Sequence, residues 1–192
     1  VGRDAAVVKG LEFFEPRLQQ FLCSLSAIKS QQLVVYCARG GMRSASVVRL
    51  LREHGFRTFQ LQGGYKNYRQ FVLRKLEKPV PPLIVLHGQT GVGKTMLLQK
   101  LPDHLHLEGL AQHRSSLFGA IHKTPRTQKD FEALLVQKLK KLPDTVPLFV
   151  EGESRKVGQV FVPQSFAKAM KDGTLVLLSA KLETRISRIV QE

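Results

Sequence analysis

Short apolar runs alternate along the chain with amphipathic stretches, and that alternation predicts most of the elements. From about Pro16 to Ser26, Leu18, Phe21, Leu22 and Leu25 share one stripe at helical spacing. Leu33 to Tyr36 is a β-rich run ending at Cys37. Ser44 to His54 returns to helical spacing through Val47, Val48, Leu50 and Leu51, and Gly55 ends it. Thr58 to Leu61 reads as a second strand, followed by Gln62-Gly63-Gly64 and a helix from Tyr65 to about Leu76. The pattern then breaks at Lys78-Pro79-Val80-Pro81-Pro82, where neither a helix nor a central strand can continue.

Beyond the prolines the pattern restarts. Leu83 to His87 is a continuous apolar run of the kind buried parallel strands carry. A glycine-rich loop follows, then a helix from Lys94 to Leu101. Pro102 to Thr127 is polar and histidine-rich and reads mostly as loop. Phe131 to Leu142 is predicted as a helix, Val146 to Val150 as a strand and Phe166 to Met170 as part of a helix. Leu175 to Leu178 is a third strand and Leu182 to Val190 a last helix. Strands alternating with helices define an α/β fold. The predicted organisation is a domain over residues 1–78, an extended linker over 79–82 and a parallel α/β domain over 83–192. Three strands make a thin sheet for such a domain, which usually has four to six. With Val1 in place of a methionine, a fragment shortened at both ends is expected.

Composition narrows the class. With 43% hydrophobic and 23% charged residues the chain is globular rather than disordered. No run of 18 apolar residues exists, so no membrane-spanning helix is predicted. Cys23 and Cys37 are too few for a disulfide framework, which fits a reducing compartment. The net charge of +15 favours a polyanionic partner. It is not a detachable tail: residues 1–78 carry fourteen basic and five acidic side chains, the remainder sixteen and ten.

Gly88-Gln89-Thr90-Gly91-Val92-Gly93-Lys94-Thr95 fits G-x-x-x-x-G-K-[ST], between a predicted strand and a predicted helix. Gly88, Gly91 and Gly93 permit a path on which successive N–H groups face one anion, and the helix N-terminus adds partial positive charge. Lys94 supplies a point charge for a terminal phosphate, Thr95 a ligand for a magnesium ion, and Val92 completes the cradle. Glu151, after the strand ending at Val150, stands where a magnesium-binding or water-orienting carboxylate belongs, with Glu153 two residues on. Nucleotide and non-nucleotide diphosphate both remain open as ligands of this loop. His87, His104, His106, His113 and His122 show no tight ligand spacing with cysteine, so no structural metal is predicted.

Cys37-Ala38-Arg39-Gly40-Gly41-Met42-Arg43-Ser44 is the second constellation. A cysteine ends a strand, Gly40 and Gly41 allow a tight turn, and Arg43-Ser44 opens a helix. Converging N–H groups, the helix terminus and Arg39 or Arg43 all favour a thiolate, so Cys37 is expected to have a lowered pKa and to be nucleophilic. Cys23 has no such loop and is expected to be structural. Two chemistries use a Cys-x5-Arg-Ser cradle. A cysteine phosphatase holds a phosphoester in it; a sulfurtransferase holds a persulfide. The two central glycines and the lack of a leaving-group acid nearby lean toward the second.

Tyr36 to Ser44, with Leu61-Gln62-Gly63-Gly64-Tyr65 behind it, resembles a rhodanese domain. Joined to the P-loop, to the segment Leu107 to Gly119 and to Val150 to Gly158, it resembles the tRNA 2-selenouridine synthases over almost the whole chain. Ser115 stands where that resemblance expects a glycine. The resemblance implies an incomplete rhodanese-like domain followed by a P-loop domain, in a cytoplasmic enzyme. The implied activity replaces the sulfur of wobble 2-thiouridine in tRNA by selenium from selenophosphate, through S-geranylation by geranyl diphosphate. It makes Cys37 the essential cysteine, Gly88 to Thr95 the diphosphate site and a selenophosphate-supplying enzyme a partner. The basic residues Arg114, Lys123, Arg126, Lys129, Arg155 and Lys156 are then expected to contact tRNA, with Tyr65, Tyr68 and Phe118 as platforms for unstacked bases. Two other readings fit parts of the pattern: a nucleotide-regulated sulfur carrier, and a cysteine phosphatase fused to a P-loop domain. No oligomeric state is specified by the pattern.

Overall fold

The computed structural model describes residues 2–113, 124–142, 146–152 and 154–191. Their contacts form two compact units, Val1–Tyr68 and Arg69–Glu192.

In the first unit, α1 (Arg3–Phe14) and α2 (Leu18–Leu25) are separated by a 3-10 turn at Glu15–Arg17, with Pro16 in its first positions. The sequence pattern suggests one helix from Pro16; the structure adds α1 before it and ends α2 in a second 3-10 turn at Ser26–Ile28. Phe14 meets Phe21 edge-on, with ring centroids 5.7 Å apart. Cys23, expected to be structural, is exposed on α2. β1 (Gln32–Val35) pairs in parallel with β2 (Arg57–Gln60), Val34 opposite Phe59. Between them α3 (Met42–Glu53) buries Ser44, Val48 and Leu51, which recur at i, i+4 and i+7. Phe56 completes this small core. Thr58 donates to the Val48 carbonyl (3.2 Å), and Arg52 donates twice to the Thr58 carbonyl, fastening β2 to α3. The other face of the pair is open, with Val34, Tyr36 and Phe59 all exposed. α4 (Gly64–Leu76) begins here and continues into the second unit.

The second unit has a four-stranded parallel sheet. β3 (Leu83–His87) lies between β5 (Leu148–Glu151) and β8 (Thr174–Leu177), and β4 (His104–Leu105) flanks β5. The three-strand expectation is therefore corrected to four. β4 and α6 (Leu107–Ala111) both lie in the stretch read as loop. A two-residue strand carries too little alternation to register as a pattern, and it forms because Leu105 is buried beside Val150. α5 (Lys94–Leu98) follows the glycine loop and is shorter than expected. α7 (Gln128–Leu139) begins three residues before the predicted start, because Thr127 caps it by accepting from the Asp130 N–H. β6 (Lys156–Val157) and β7 (Val160–Phe161) form a hairpin turning at Gly158, which has φ +59°. Gln128 holds that hairpin to α7 by accepting from the Phe161 N–H (2.7 Å) and donating to its carbonyl (2.9 Å). α8 (Gln164–Asp172) precedes β8, and α9 (Leu182–Gln191) follows it. Leu83, Val85, Leu105, Phe131, Leu135, Val150 and Phe166 are among the core side chains, buried between sheet and helices. β8 is the bare edge, with Leu175 63% and Leu177 74% exposed, and α9 leaves Ile186 and Val190 exposed. No helix among the described residues is long and apolar enough to cross a membrane.

Candidate functional site

The thiol loop runs from the end of β1 to the start of α3 and gathers its predicted residues around Cys37. Cys37 Sγ lies 3.3 Å from Ser44 Oγ, and Ser44 itself is buried. Its hydroxyl has one proton, which in the neutral-thiol state can go to the Gly41 carbonyl at 3.1 Å. Once sulfur ionises, the same proton can turn to the thiolate. The Cys37 pKa is accordingly lowered to about 6. The Ser44 hydroxyl is the largest cause, burial opposes it, and the Arg39, Ser44 and Gly41 N–H groups assist. The side chains of Arg39 and Arg43 are exposed.

Gln60, at the end of β2, is a member of this site that the motif reading missed. Its Nε2 donates to the Gly40 carbonyl (2.8 Å), the Gly41 carbonyl (3.2 Å) and Ser44 Oγ (2.9 Å). It ties the loop's carbonyls and the Ser44 hydroxyl to the end of β2. The available signal was its place just before Leu61-Gln62-Gly63-Gly64. Those glycines seat the loop: Gly64 has φ +61°, and a Cβ there would lie 2.2 Å from the Cys37 carbonyl oxygen and 2.3 Å from the Gly40 nitrogen. The Tyr65 N–H donates to the Cys37 carbonyl (2.9 Å) and the Lys66 N–H to that of Ala38 (3.0 Å). The N-terminal turn of α4 and the thiol loop therefore meet backbone to backbone.

In the second unit, Gly88, Gly91 and Gly93 all have positive φ, and Gly93 caps α5. Val92 is buried under the loop. Lys94 Nζ bends back to donate to the Gly88 (2.9 Å) and Gln89 (3.4 Å) carbonyls, and Thr95 lies in the first turn of α5. Helix α9 clasps this loop from outside, a feature absent from the sequence reading. Arg185 donates to the Thr90 carbonyl (2.9 Å) and to Gln89 Oε1, while Arg188 donates to the Val92 carbonyl (2.7 Å). A Cβ at Gly91 would lie 2.6 Å from the Arg185 carbonyl oxygen, so the helix also explains that glycine. Holding carbonyls outward leaves N–H groups inward, as an anion nest requires. Arg188→Ala is expected to weaken inorganic diphosphate binding about tenfold by calorimetry, and unchanged affinity would refute the clasp.

Glu151 is the last residue of β5 rather than the first beyond it, buried and in register with Leu86, two residues before the loop. His106, Glu108 and Glu151 bring ligand atoms within 4.8 Å of one another, a set able to hold a divalent cation. Three histidines sit on glycines here: a Cβ at Gly109 would lie 2.6 Å from His106 Nδ1, one at Gly152 2.5 Å from His87 Cδ2, and one at Gly158 2.2 Å from His113 Cγ. Of the basic residues assigned to tRNA, Lys129, Arg155 and Lys156 are exposed. Arg126 donates through Nη1 to the Leu110 carbonyl (3.0 Å), closing the end of α6. Arg114, Lys123, Glu153, Ser115 and Phe118 lie outside the described residues.

A parallel sheet whose central strand feeds a glycine loop and a lysine-headed helix defines a P-loop α/β domain. Residues 81–192 match the family model described as the tRNA 2-selenouridine synthase AAA domain. The chain belongs to the tRNA 2-selenouridine synthase family. It is similar to the tRNA 2-selenouridine synthase of Shewanella piezotolerans (37% identical over 168 residues, 85% of this chain and 46% of the relative). It is also similar to that of Nitrosomonas eutropha (36% over 201 residues, 98% and 51%) and that of Pseudomonas syringae pv. tomato (42% over 162 residues, 82% and 44%). The chain spans about half the length of these curated relatives. No solved structure matches it.

Proposed function

We propose that the longer protein to which this chain corresponds exchanges the sulfur of 2-thiouridine in tRNA for selenium. Selenophosphate is the selenium donor, and geranyl diphosphate supplies a transient S-geranyl group. The reading is carried by one observation: a thiol held near pKa 6 in a cradle of N–H groups shares a chain with the P-loop domain of this family. Residues 1–78 are the late part of a rhodanese-like domain, 79–82 a linker and 83–192 the phosphate-handling domain.

In the first step the thione sulfur attacks the prenyl carbon and diphosphate leaves. Lys94 and the N–H groups of Gly88 to Thr95 take up the charge on the leaving diphosphate. A magnesium ion would be held by Thr95 and Glu151, where it would neutralise diphosphate charge; the buried carboxylate at the end of β5 fits that role. In the second step the selenium of selenophosphate adds at the base carbon that bears the S-geranyl group and geranyl thiol leaves; water then cleaves the Se–P bond, releasing phosphate and the 2-seleno base. Cys37, assisted by Ser44 and the Gly40-Gly41 turn, handles the selenium donor, with Arg39 and Arg43 adding positive potential. Exposed Lys129, Arg155 and Lys156 meet tRNA phosphates, and Arg126 shapes that surface by holding α6.

The test is a full-length version incubated with thiolated tRNA, geranyl diphosphate and selenophosphate, followed by nucleoside digestion. Lys94→Ala should stop S-geranylation, and Cys37→Ala should leave it intact while stopping selenium incorporation. Persulfide and nucleotide binding with unchanged tRNA would replace this reading by the sulfur carrier. Hydrolysis of an aryl phosphate that vanishes in Cys37→Ser would replace it by the phosphatase. Mass spectrometry after selenophosphate addresses a covalent role, which a Cys37 that never gains mass would reject.

A further inference from the structure

The chain has three tyrosines and no tryptophan, and all three tyrosines stand together beside the thiol loop. Tyr36 immediately precedes Cys37 and stacks on Tyr65, with centroids 6.3 Å apart and planes 29° apart. Tyr65 in turn meets Tyr68 at 6.2 Å and 46°. These separations lie in the range of favourable aromatic pairs. In this chain the series is open to solvent: Tyr36 is 58% and Tyr68 38% exposed, with Tyr65 half-buried between them. Its position is fixed, because the Tyr65 N–H donates to the Cys37 carbonyl and the glycine pair behind it allows no slack.

The charge around the stack has one sign. Arg39, Arg43 and Lys66, on the two segments that carry the tyrosines and the cysteine, are all exposed. Between Tyr36 and Tyr68 the sequence holds a single carboxylate, Glu53, which faces Arg49 at 3.9 Å. Open aromatic faces bordered by cations suit an unstacked nucleobase on a phosphate backbone. A free apolar chain would use the rings but not the cations.

We propose that Tyr36, Tyr65 and Tyr68 form a stacking platform that holds an unpaired base of the RNA substrate beside Cys37, while Arg39, Arg43 and Lys66 engage the flanking phosphates. This rests on the functional reading above for the identity of the substrate, and it adds positioning residues to it. The tyrosines orient the base; Cys37 keeps the role given to it above, handling the selenium donor.

The absence of tryptophan makes the test direct, since intrinsic fluorescence comes from these tyrosines alone. The 192-residue chain is titrated with a pentauridylate and, separately, with an abasic ribose-phosphate pentamer. Quenching by the first and little by the second is expected. Tyr36→Leu should weaken pentauridylate binding about five- to hundredfold by calorimetry, and Tyr36→Trp should restore it. Tyr68→Leu, at the other end of the stack, provides a second reading if Tyr36→Leu fails to fold. Equal binding of the abasic pentamer, unchanged affinity in both leucine variants, or quenching by geraniol without quenching by pentauridylate would each overturn the platform. If the pentamer fails to bind while the full-length protein still converts thiolated tRNA, the platform falls and the functional reading stands. If the pentamer binds as expected and no tRNA is converted, the reverse holds.

Discussion

Gly64→Ala is expected to unseat the thiol loop. The added methyl would stand 2.2 Å from the Cys37 carbonyl oxygen, 2.3 Å from the Gly40 nitrogen and 2.9 Å from the Arg39 carbonyl carbon. All are backbone atoms, so no side chain can swing aside. The residue must also keep φ +61°, a region alanine adopts at a cost. Strain and overpacking together should remove about 2–5 kcal/mol of stability, read as a lower denaturation midpoint. Gly41→Ala is the internal comparison. Its Cβ would meet nothing within 4 Å and its φ is −92°, so that variant should unfold close to wild type. Two glycines of the thiol-loop site, Gly64 and Gly41, thus have opposite expected outcomes, and equal effects would refute the backbone-contact account.

Ser44→Ala is expected to return Cys37 toward ordinary thiol behaviour. The wild-type alkylation rate should rise with pH through a midpoint of about 6. Removing the Ser44 hydroxyl deletes the largest stabiliser of the thiolate and leaves the N–H groups of Arg39, Ser44 and Gly41 in place. The midpoint should move upward, and the rate at pH 6.5 should fall by about tenfold or more. Because folding lowers this pKa, the stabilisation it contributes is present above the ordinary thiol value and lost as pH falls through about 6. The variant should therefore show a flatter dependence of stability on pH over that window. An unchanged alkylation midpoint would mean that the N–H groups suffice without the hydroxyl.

How far each feature could be read from the sequence followed the range of its cause. Leu83 to His87 matches its strand because a buried central strand needs only a local apolar run, and both glycine loops were visible because positive φ and close approach select glycine at fixed spacing. β4 and α6 escaped because they are short and are held by neighbours distant in sequence. α1 escaped for another reason: it leaves Val7, Val8 and Phe13 exposed, so no buried stripe is seen among its described side chains. At the sites, local spacing identified Cys37, Ser44 and Lys94, whose surroundings are built by adjacent residues. Gln60, Arg185 and Arg188 act through carbonyls of segments far along the chain, and an amide or a guanidinium on a helix advertises no such target. The grouping of His106 with Glu151 is of the same kind.

The clasp of α9 on the glycine loop also bears on the order of events during synthesis. The loop leaves the ribosome roughly ninety residues before Arg185 and Arg188, the groups that hold its carbonyls in place. Throughout that interval the nascent segment has its glycines but not its outer brace. A nascent chain stalled before Arg185 should capture phosphate poorly, and the anion site should mature only when α9 docks.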